Sequence, residues 1–423
     1  MTNFGDFRLT VFGQFNPTLT EEKITMANTS MIKKIIAAIF VGTLVIGFVK
    51  NGSYNEISKL TNYLSQKDFD REDSLSISSL ESEFSASLIN QKDLINLNGS
   101  MAKALGMKSF YKSKGVYVND QKYVVSAYAQ TSTDYEYEET VDFKNFLESN
   151  GINLLYVNEP TKYVDDSVFT YEFGIETYSN RNMDLFLNRI REAGVNTIDL
   201  RDNIREEGIN VYDLFYRTDH HWTTSAGLWA TQIMAEGLND YCGYDIDTSI
   251  YNIENYNVTS WENCWLGEQG RLVAETYIGL DDYSEIKPNF ETDYTFKNDD
   301  GTTYDGTFDN FVSEKTYNLE NDVYENGSWH YSYNRIDCIN NNVENGKILL
   351  IGDSFDHVTI PFLSLAVHEI DSLILRSYDE SFSLRDYILR NGYDTVIVAY
   401  AQFMVGAHDN PDSANYRMFS FEY

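Results

Sequence analysis

KILLIGDSF, residues 347–355, sets four aliphatic residues directly ahead of a glycine, an acid and a serine. An apolar run this short, bounded by a turn signal, reads as a strand buried on both faces, the kind found in parallel sheets covered by helices. Ser354 then stands just past the carboxyl end of that strand and before a helix, where open α/β sheets place the groups that meet ligands. Gly352 permits the tight turn.

The same rhythm extends in both directions. Downstream, residues 361–369 read as helix, 372–375 as strand, 384–390 as a helix ended by Gly392, and 395–400 (TVIVAY) as strand. Upstream, 153–158 (NLLYVN) is a short buried-strand run, and 181–193 sets Met183, Leu185, Phe186, Leu187 and Ile190 along a helical stripe. Residues 197–200 form the next strand, 223–238 a helix with a threonine cap, and 141–150 a helix closed by Gly151. Such alternation implies βαβ units and a parallel sheet with both faces covered. Residues 246–345 break it: rich in Tyr, Asn, Asp and Gly and without a clear helix, they read as a β-rich insertion. The α/β core is therefore expected to be split, as 141–245 and 346–423.

Ahead of the core, 115–127 carries a hairpin signal around Asn119-Asp120, within a polar, Ser-rich stalk and N-terminal extension over 51–140. Residues 35–49 are uncharged and mostly apolar, framed by Lys33, Lys34 and Lys50. The stretch 31–50 is long enough for a signal anchor with snorkelling lysines. A cleaved signal peptide is the alternative, although no A-x-A site follows within 47–54. The expected location is the cell membrane, a single-pass anchor with the folded part outside the cytoplasm, or secretion if the signal is cleaved. Residues 1–30 form a tail without clear pattern, and Met26 or Met31 are alternative starts.

Composition narrows the classes. The 423 residues, 42% apolar, exclude disorder along the whole chain, and 32 basic against 65 acidic residues give a net charge of −33 that repels phosphate backbones, so no nucleic-acid partner is expected. Cys242, Cys264 and Cys338 are too few and too widely spaced for a zinc ribbon or a disulfide framework.

The sharpest chemical signal is TDHHWT, residues 218–223. By composition alone, Asp-His-His-Trp arises on the order of 10⁻⁴ times in such a chain. In an extended segment Asp219 and His221 share a face while His220 points away, so the carboxylate can accept from one ring nitrogen and leave the other as a base. The blander reading is a capped helix start. Gly-Asp-Ser arises by chance in roughly one such chain in ten and is weak alone, since Asp353 or Ser354 could simply cap a helix. Together the two motifs suffice for acyl transfer: Ser354 attacks, His221 moves the proton and Asp219 fixes the tautomer. A metal reading would use Asp219, His220, His221 and His357, but neighbouring histidines on opposite faces converge poorly, and no metal or cofactor is expected.

TDHHWT and GDSF, with the strand-and-helix rhythm around them, resemble the DHHW proteins and the SGNH-hydrolase-like domains of the AlgX and AlgJ alginate O-acetylation proteins. The resemblance implies an SGNH-hydrolase-like, flavodoxin-like parallel sheet, circularly permuted because the Asp-x-His element precedes the serine. It implies an extracytoplasmic O-acetyltransferase acting on a polysaccharide, with a membrane-bound O-acyltransferase as acetyl donor. On the family's pattern Ser354 matches the nucleophile, His221 the base and Asp219 the orienting acid. Arg376, after the strand in LILRSY, and Tyr400, at the end of TVIVAY, are similar to the family's arginine and tyrosine near the site. Trp222 could stack on a sugar or pack under the histidine, and Lys162 in NEPTKY also resembles a family position, though it reads more simply as a solvated lysine. One departure stands out: where ordinary SGNH enzymes carry Gly-x-Asn-Asp, this chain reads Ala399-Tyr400-Ala401-Gln402. The same groups would serve an acetyl-esterase, and a non-catalytic carbohydrate-binding scaffold is compatible with the Tyr and Trp content.

Overall fold

The computed structural model describes residues 91–111, 115–312, 335–379, 381–406 and 415–422. The chain divides between Leu94 and Ile95 into two units, and all the described strands lie in the second, Ile95–Tyr423. The expected anchor at 31–50 and most of the stalk lie outside the described residues. Among the described residues no helix is long and apolar enough to cross a membrane.

Strands β1 (Ser109–Tyr111), β2 (Val116–Val118) and β3 (Val124–Ser126) form a small antiparallel sheet, and pairing of Val118 with Val124 closes a hairpin at Asn119-Asp120. After the helix Asp134–Ser149 come β4 (Asn153–Glu159), the helix Ser179–Glu192, β5 (Asn196–Asp199) and the helix Thr224–Cys242, whose Thr223 side chain accepts from the Ala226 N–H. Strands β6 (Tyr256–Trp265) and β7 (Asp281–Pro288) pair as a separate ribbon. The remaining strands are β8 (Tyr294–Lys297), β9 (Thr303–Gly306), β10 (Asp337–Asn340), β11 (Lys347–Ile351), β12 (Glu369–Leu373) and β13 (Thr395–Ala401).

The central sheet runs β5-β4-β13-β11-β12-β10-β8-β9, parallel from β5 to β12 and antiparallel beyond. The two stretches flanking the insertion thus share one sheet, with β13, the last of its strands in chain order, between β4 and β11. Every residue of β13 is buried, as a strand covered on both faces requires. Alternate side chains feed different cores. Ile397, Ala399 and Ala401 join Ile348, Leu350, Leu155 and Val157 under the helices Thr224–Cys242 and Asp356–Leu363. Val396, Val398 and Tyr400 join Leu349, Ile351, Leu154 and Tyr156 under Asp134–Ser149, Ser179–Glu192 and Leu384–Asn391.

Several sequence expectations are corrected. The helix read at 361–369 is Asp356–Leu363, with Pro361 inside it, and β12 begins at Glu369 rather than 372. Pro361 is the sixth residue of a helix of eight, past the first turn whose N–H groups have no partner, so it takes one bond from a short ladder and the helix ends two residues later. Leu185 is exposed while Met183, Phe186, Leu187 and Ile190 are buried. Residues 246–345, read as without a clear helix, contain the short helices Glu268–Val273 and Glu275–Ile278, and their strands β8, β9 and β10 extend the central sheet.

Candidate active site

Ser354 sits in the turn between β11 and the helix Asp356–Leu363, partly exposed. Its neighbours are pinned. Asp353 is buried, accepting from the Phe355 N–H at 2.8 Å and from the Ala401 N–H at 2.9 Å, so it ties the turn to the end of β13. The Asp353 N–H donates to Asp356 Oδ2 at 3.1 Å. A Cβ on Gly352 would meet that same Oδ2 at 2.2 Å, which is why only glycine fits there.

The TDHHW segment is a tight loop, not a strand. A bridge between Phe215 and Trp222 closes it, with Tyr216 N–H donating to the His221 carbonyl and Thr223 N–H to that of Leu214. Asp219 Oδ1 accepts from the His221 backbone N–H at 3.1 Å and meets His221 Nδ1 at 2.5 Å, while His221 Nε2 lies 2.6 Å from Ser354 Oγ. Asp219, His221 and Ser354 therefore come together, although the shared-face argument for it is corrected: a local side-chain-to-backbone turn makes the pairing. Nor does His220 point away. Its ring lies 3.9 Å from that of His221, tilted by 35°. Burial pushes Asp219 up, but the charge and N–H groups of His221, with a smaller contribution from His220, hold its carboxyl well below the usual range. Burial, then the charge of His221, lowers His220 to about 4.

The insertion clasps this loop, which sequence reading missed. The Asp281 carboxylate accepts from the Arg217 N–H (2.9 Å), the Thr218 N–H (2.8 Å) and the Thr218 hydroxyl (2.6 Å). Gly267 N–H donates to Thr218 Oγ1 and Glu268 N–H to Asp219 Oδ2, both at 2.7 Å. A Cβ on Gly267 would stand 2.4 Å from that of Asp219. The available signal was a pair of glycines three apart in Gly267-Glu268-Gln269-Gly270. Lys162, read as solvated, is buried instead: Nζ donates to the Val124 carbonyl at 2.8 Å and lies 3.4 Å from that of Arg217, and burial lowers it to about 7.

Two residues proposed to meet sugar do not face solvent. Trp222 is fully buried, its indole N–H donating to the Phe355 carbonyl at 3.0 Å, so it braces the nucleophile turn from below. Tyr400 is fully buried with its hydroxyl donating to the Met418 carbonyl. Arg376 is exposed just beyond β12, close enough for its charge to act on His220, Asp353 and His357. His357 is buried and lowered to about 4, by burial first and then by the charges of His221 and Arg376.

Ligand atoms of Asp219, His220 and His221 lie within 4.8 Å of one another, a spacing that could hold an ion. Both Asp219 oxygens and both His221 nitrogens already have hydrogen-bond partners, so a cation would have to break the Asp219–His221–Ser354 chain. A cavity of about 280 Å³ lies beside the nucleophile turn, lined by Gly352, Asp353, His357, Ile374, Ser377 and Tyr378 among others. A larger cleft of about 1000 Å³, with Asn257, Lys287, Phe290 and Asn340 on its walls, opens at the amino end of the parallel strands, away from Ser354.

Residues 116–309 match the family described as SGNH hydrolase-like domain, acetyltransferase AlgX; the match takes in Asp219 and His221 and stops short of Ser354. No curated protein is similar enough in sequence to match the chain. Among solved structures the chain is similar to PatB1 of Bacillus cereus with a sulfonyl adduct, at 20% identity and TM-score 0.58 over 73% of this chain and 98% of that one. It is also similar to a DHHW family protein from Eubacterium siraeum, at 18% identity and TM-score 0.53 over 71% and 95%. The O-acetyltransferase domain of Pseudomonas putida AlgJ aligns over 72% and 98% at 13% identity and TM-score 0.43. The family read from TDHHWT and GDSF is the one matched: this chain carries a region similar to the SGNH hydrolase-like domain of the acetyltransferase AlgX.

Proposed function

We propose that the protein transfers acetyl groups onto hydroxyls of a polysaccharide outside the cytoplasm, through an acetyl ester on Ser354, with His221 as base and Asp219 as its orienting acid. The reading rests on the 2.6 Å contact of His221 Nε2 with Ser354 Oγ, with Asp219 on the opposite ring nitrogen. In the first half-reaction Oγ attacks the acetyl carbonyl as its proton passes to Nε2. The ionised Asp219 stabilises the imidazolium, and collapse expels the donor's alkoxide, which takes that proton. In the second, the acceptor hydroxyl gives its proton to Nε2 and attacks the acetyl carbon, the bond to Oγ breaks, and Oγ takes the proton from Nε2, which restores Ser354 and the base. The Ser354 N–H, at the strand-to-helix turn, is the proposed oxyanion donor. Gln402 is buried and occupied with Ser179 and Asn180, so the AYAQ strand end offers no obvious second one.

The wider setting is part of the proposal: a permuted SGNH core split by the insertion, an anchor at 31–50, a membrane-bound O-acyltransferase supplying acetyl, and Arg376 facing the substrates. Hydrolysis is the second reading, because the partial exposure of Ser354 leaves a path for water.

The test is chemical. Full-length protein in detergent, given a small acetyl ester with and without an oligosaccharide acceptor, should release acetate slowly and acetylate the acceptor, with chelators having no effect. Ser354→Ala should abolish most of both, and a small sulfonyl fluoride should modify Ser354, in keeping with the adduct on PatB1. Activity that survives Ser354→Ala, or disappears with chelation, removes Ser354 as the nucleophile.

A further inference from the structure

Beneath the nucleophile turn lie three acids that the acyl-transfer reading does not use as reagents. Glu159 ends β4, Asp353 precedes Ser354 and Asp356 opens the following helix. All three are buried, and one carboxyl oxygen from each lies within 4.8 Å of the others. Three negative charges so close and so deeply buried repel one another strongly, and burial already disfavours each.

The hydrogen bonds around them are unequal. Both oxygens of Asp353 accept N–H groups, from Phe355 and Ala401. Asp356 Oδ2 accepts the Asp353 N–H, and Oδ1 accepts the Thr359 hydroxyl at 2.8 Å. These two side chains sit among donors, as carboxylates should. Glu159 does not: among the described residues neither of its oxygens receives an N–H or O–H, and the polar group it faces is the Asp356 carboxyl. An ionised carboxylate without donors is costly to bury, whereas a carboxylic acid has an O–H to give, and Asp356 has lone pairs to take it.

We infer that Glu159 keeps its proton at neutral pH and donates it to the Asp356 carboxylate, which makes Glu159 a positioning residue for the turn that carries Ser354. The chain of contacts is short. The Glu159 O–H holds Asp356, Asp356 holds the Asp353 N–H and fills the space over Gly352, and Asp353 fixes the N–H of Phe355 on the far side of Ser354. Burial first, then the charges of Asp356 and Asp353, push Glu159 well above the usual carboxylate range, and burial and the Asp353 charge push Asp356 up as well. The Thr359 hydroxyl and the Asp353 N–H favour the charged form of Asp356, and nothing comparable among the described residues does so for Glu159, which places the shared proton on Glu159. The other titratable groups around the three acids are the hydroxyls of Tyr156 on β4 and Tyr400 on β13, His221 from the loop and Arg376 from beyond β12. Ionising Glu159 would add a third buried carboxylate beside those of Asp353 and Asp356 and loosen the turn from below.

Only the consequence for activity rests on the acetyl-transfer reading; the protonation itself can be read without it. The experiment is infrared spectroscopy of the full-length protein at neutral pH, unlabelled and with carboxyl-¹³C glutamate. A carboxylic-acid carbonyl band that shifts with the label and disappears in Glu159→Gln is the expected result. Absence of such a band from the wild type, or its persistence unchanged in Glu159→Gln, overturns the inference; if the variant does not fold, the labelled wild type still decides whether any glutamate is protonated, and Asp356→Asn, which replaces the charged acceptor by a neutral amide, should shift the band. Glu159→Gln retains a donor and should keep kcat for acetyl-ester cleavage within about threefold, whereas Glu159→Leu should lower kcat about tenfold with KM unchanged. The wild type should lose kcat as alkaline pH removes the Glu159 proton, and Glu159→Gln should not; matching pH profiles would overturn the positioning role. A wild type with the band and no acetyl-ester activity would leave the proton in place and sink the acetyl-transfer reading alone.

Discussion

Replacing Trp222 by phenylalanine asks whether one buried strut couples the two halves of the site. The indole is fully buried, donates to the Phe355 carbonyl at 3.0 Å and lies 5.3 Å from the Phe355 ring. Phenylalanine keeps an aromatic filler but removes the donor, so a buried carbonyl loses its partner at a cost of about 1–3 kcal/mol. The smaller ring leaves a void that adds roughly 1 kcal/mol. Unfolding free energy should therefore fall by about 2–4 kcal/mol. The catalytic effect follows from position: Phe355 is the residue after Ser354, and a displacement of about 1 Å can cost on the order of 10²-fold in rate. We expect kcat for an acetyl ester to drop 10- to 100-fold, on the order set by such a shift, with KM unchanged because the ring lies out of reach of substrate. Urea unfolding followed by circular dichroism, with steady-state kinetics on folded protein, measures both. A variant with wild-type kcat and a raised KM for a sugar acceptor would refute the strut and restore a stacking role.

Two further outcomes follow from the same geometry. Gly267→Ala brings a methyl group against the Asp219 side chain and should cost about 1–3 kcal/mol of stability while lowering kcat; wild-type kinetics would mean that the insertion does not hold Asp219. His357 is lowered to about 4 in the fold from 6.5, so between these values the unfolded chain binds the extra proton and stability falls as pH falls, by up to about 1.4 kcal/mol per pH unit. His357→Asn should flatten that acid limb in urea midpoints measured from pH 7 to 4, and parallel curves for the two proteins would count against the assignment.

The α/β character was legible because β4, β11 and β13 are apolar on both faces, a pattern that few other environments accept. The helix at Pro361 was misplaced because proline is favoured at a helix start, and the short helix that tolerates it near its end has no distinguishing period. The pairing of Asp219 with His221 was anticipated through the wrong conformation: the two side chains meet because a side-chain oxygen can satisfy the N–H two residues on, which happens in loops as readily as the shared face does in strands. Trp222 and Tyr400 could not be separated from surface aromatics, since a polar tip on an apolar ring suits a wet groove and a buried carbonyl equally. The clasp from Gly267, Glu268 and Asp281 was hidden because backbone N–H groups do most of the holding, and those carry no residue signature.

The position of β13 has a consequence for how the chain reaches its folded state. Of the strands in this sheet, the last in chain order lies at its middle, with β4 on one side and β11 on the other. Until it inserts, β4–β5 and β11–β12 are two half-sheets with unpaired inner edges, and Asp353 lacks the Ala401 N–H that anchors it. Pairings across such sequence separation are slow to form, since a long loop must close before any contact compensates for it. Assembly of the Ser354 turn therefore waits on β13, and a chain whose β13 has yet to leave the ribosome holds no formed site.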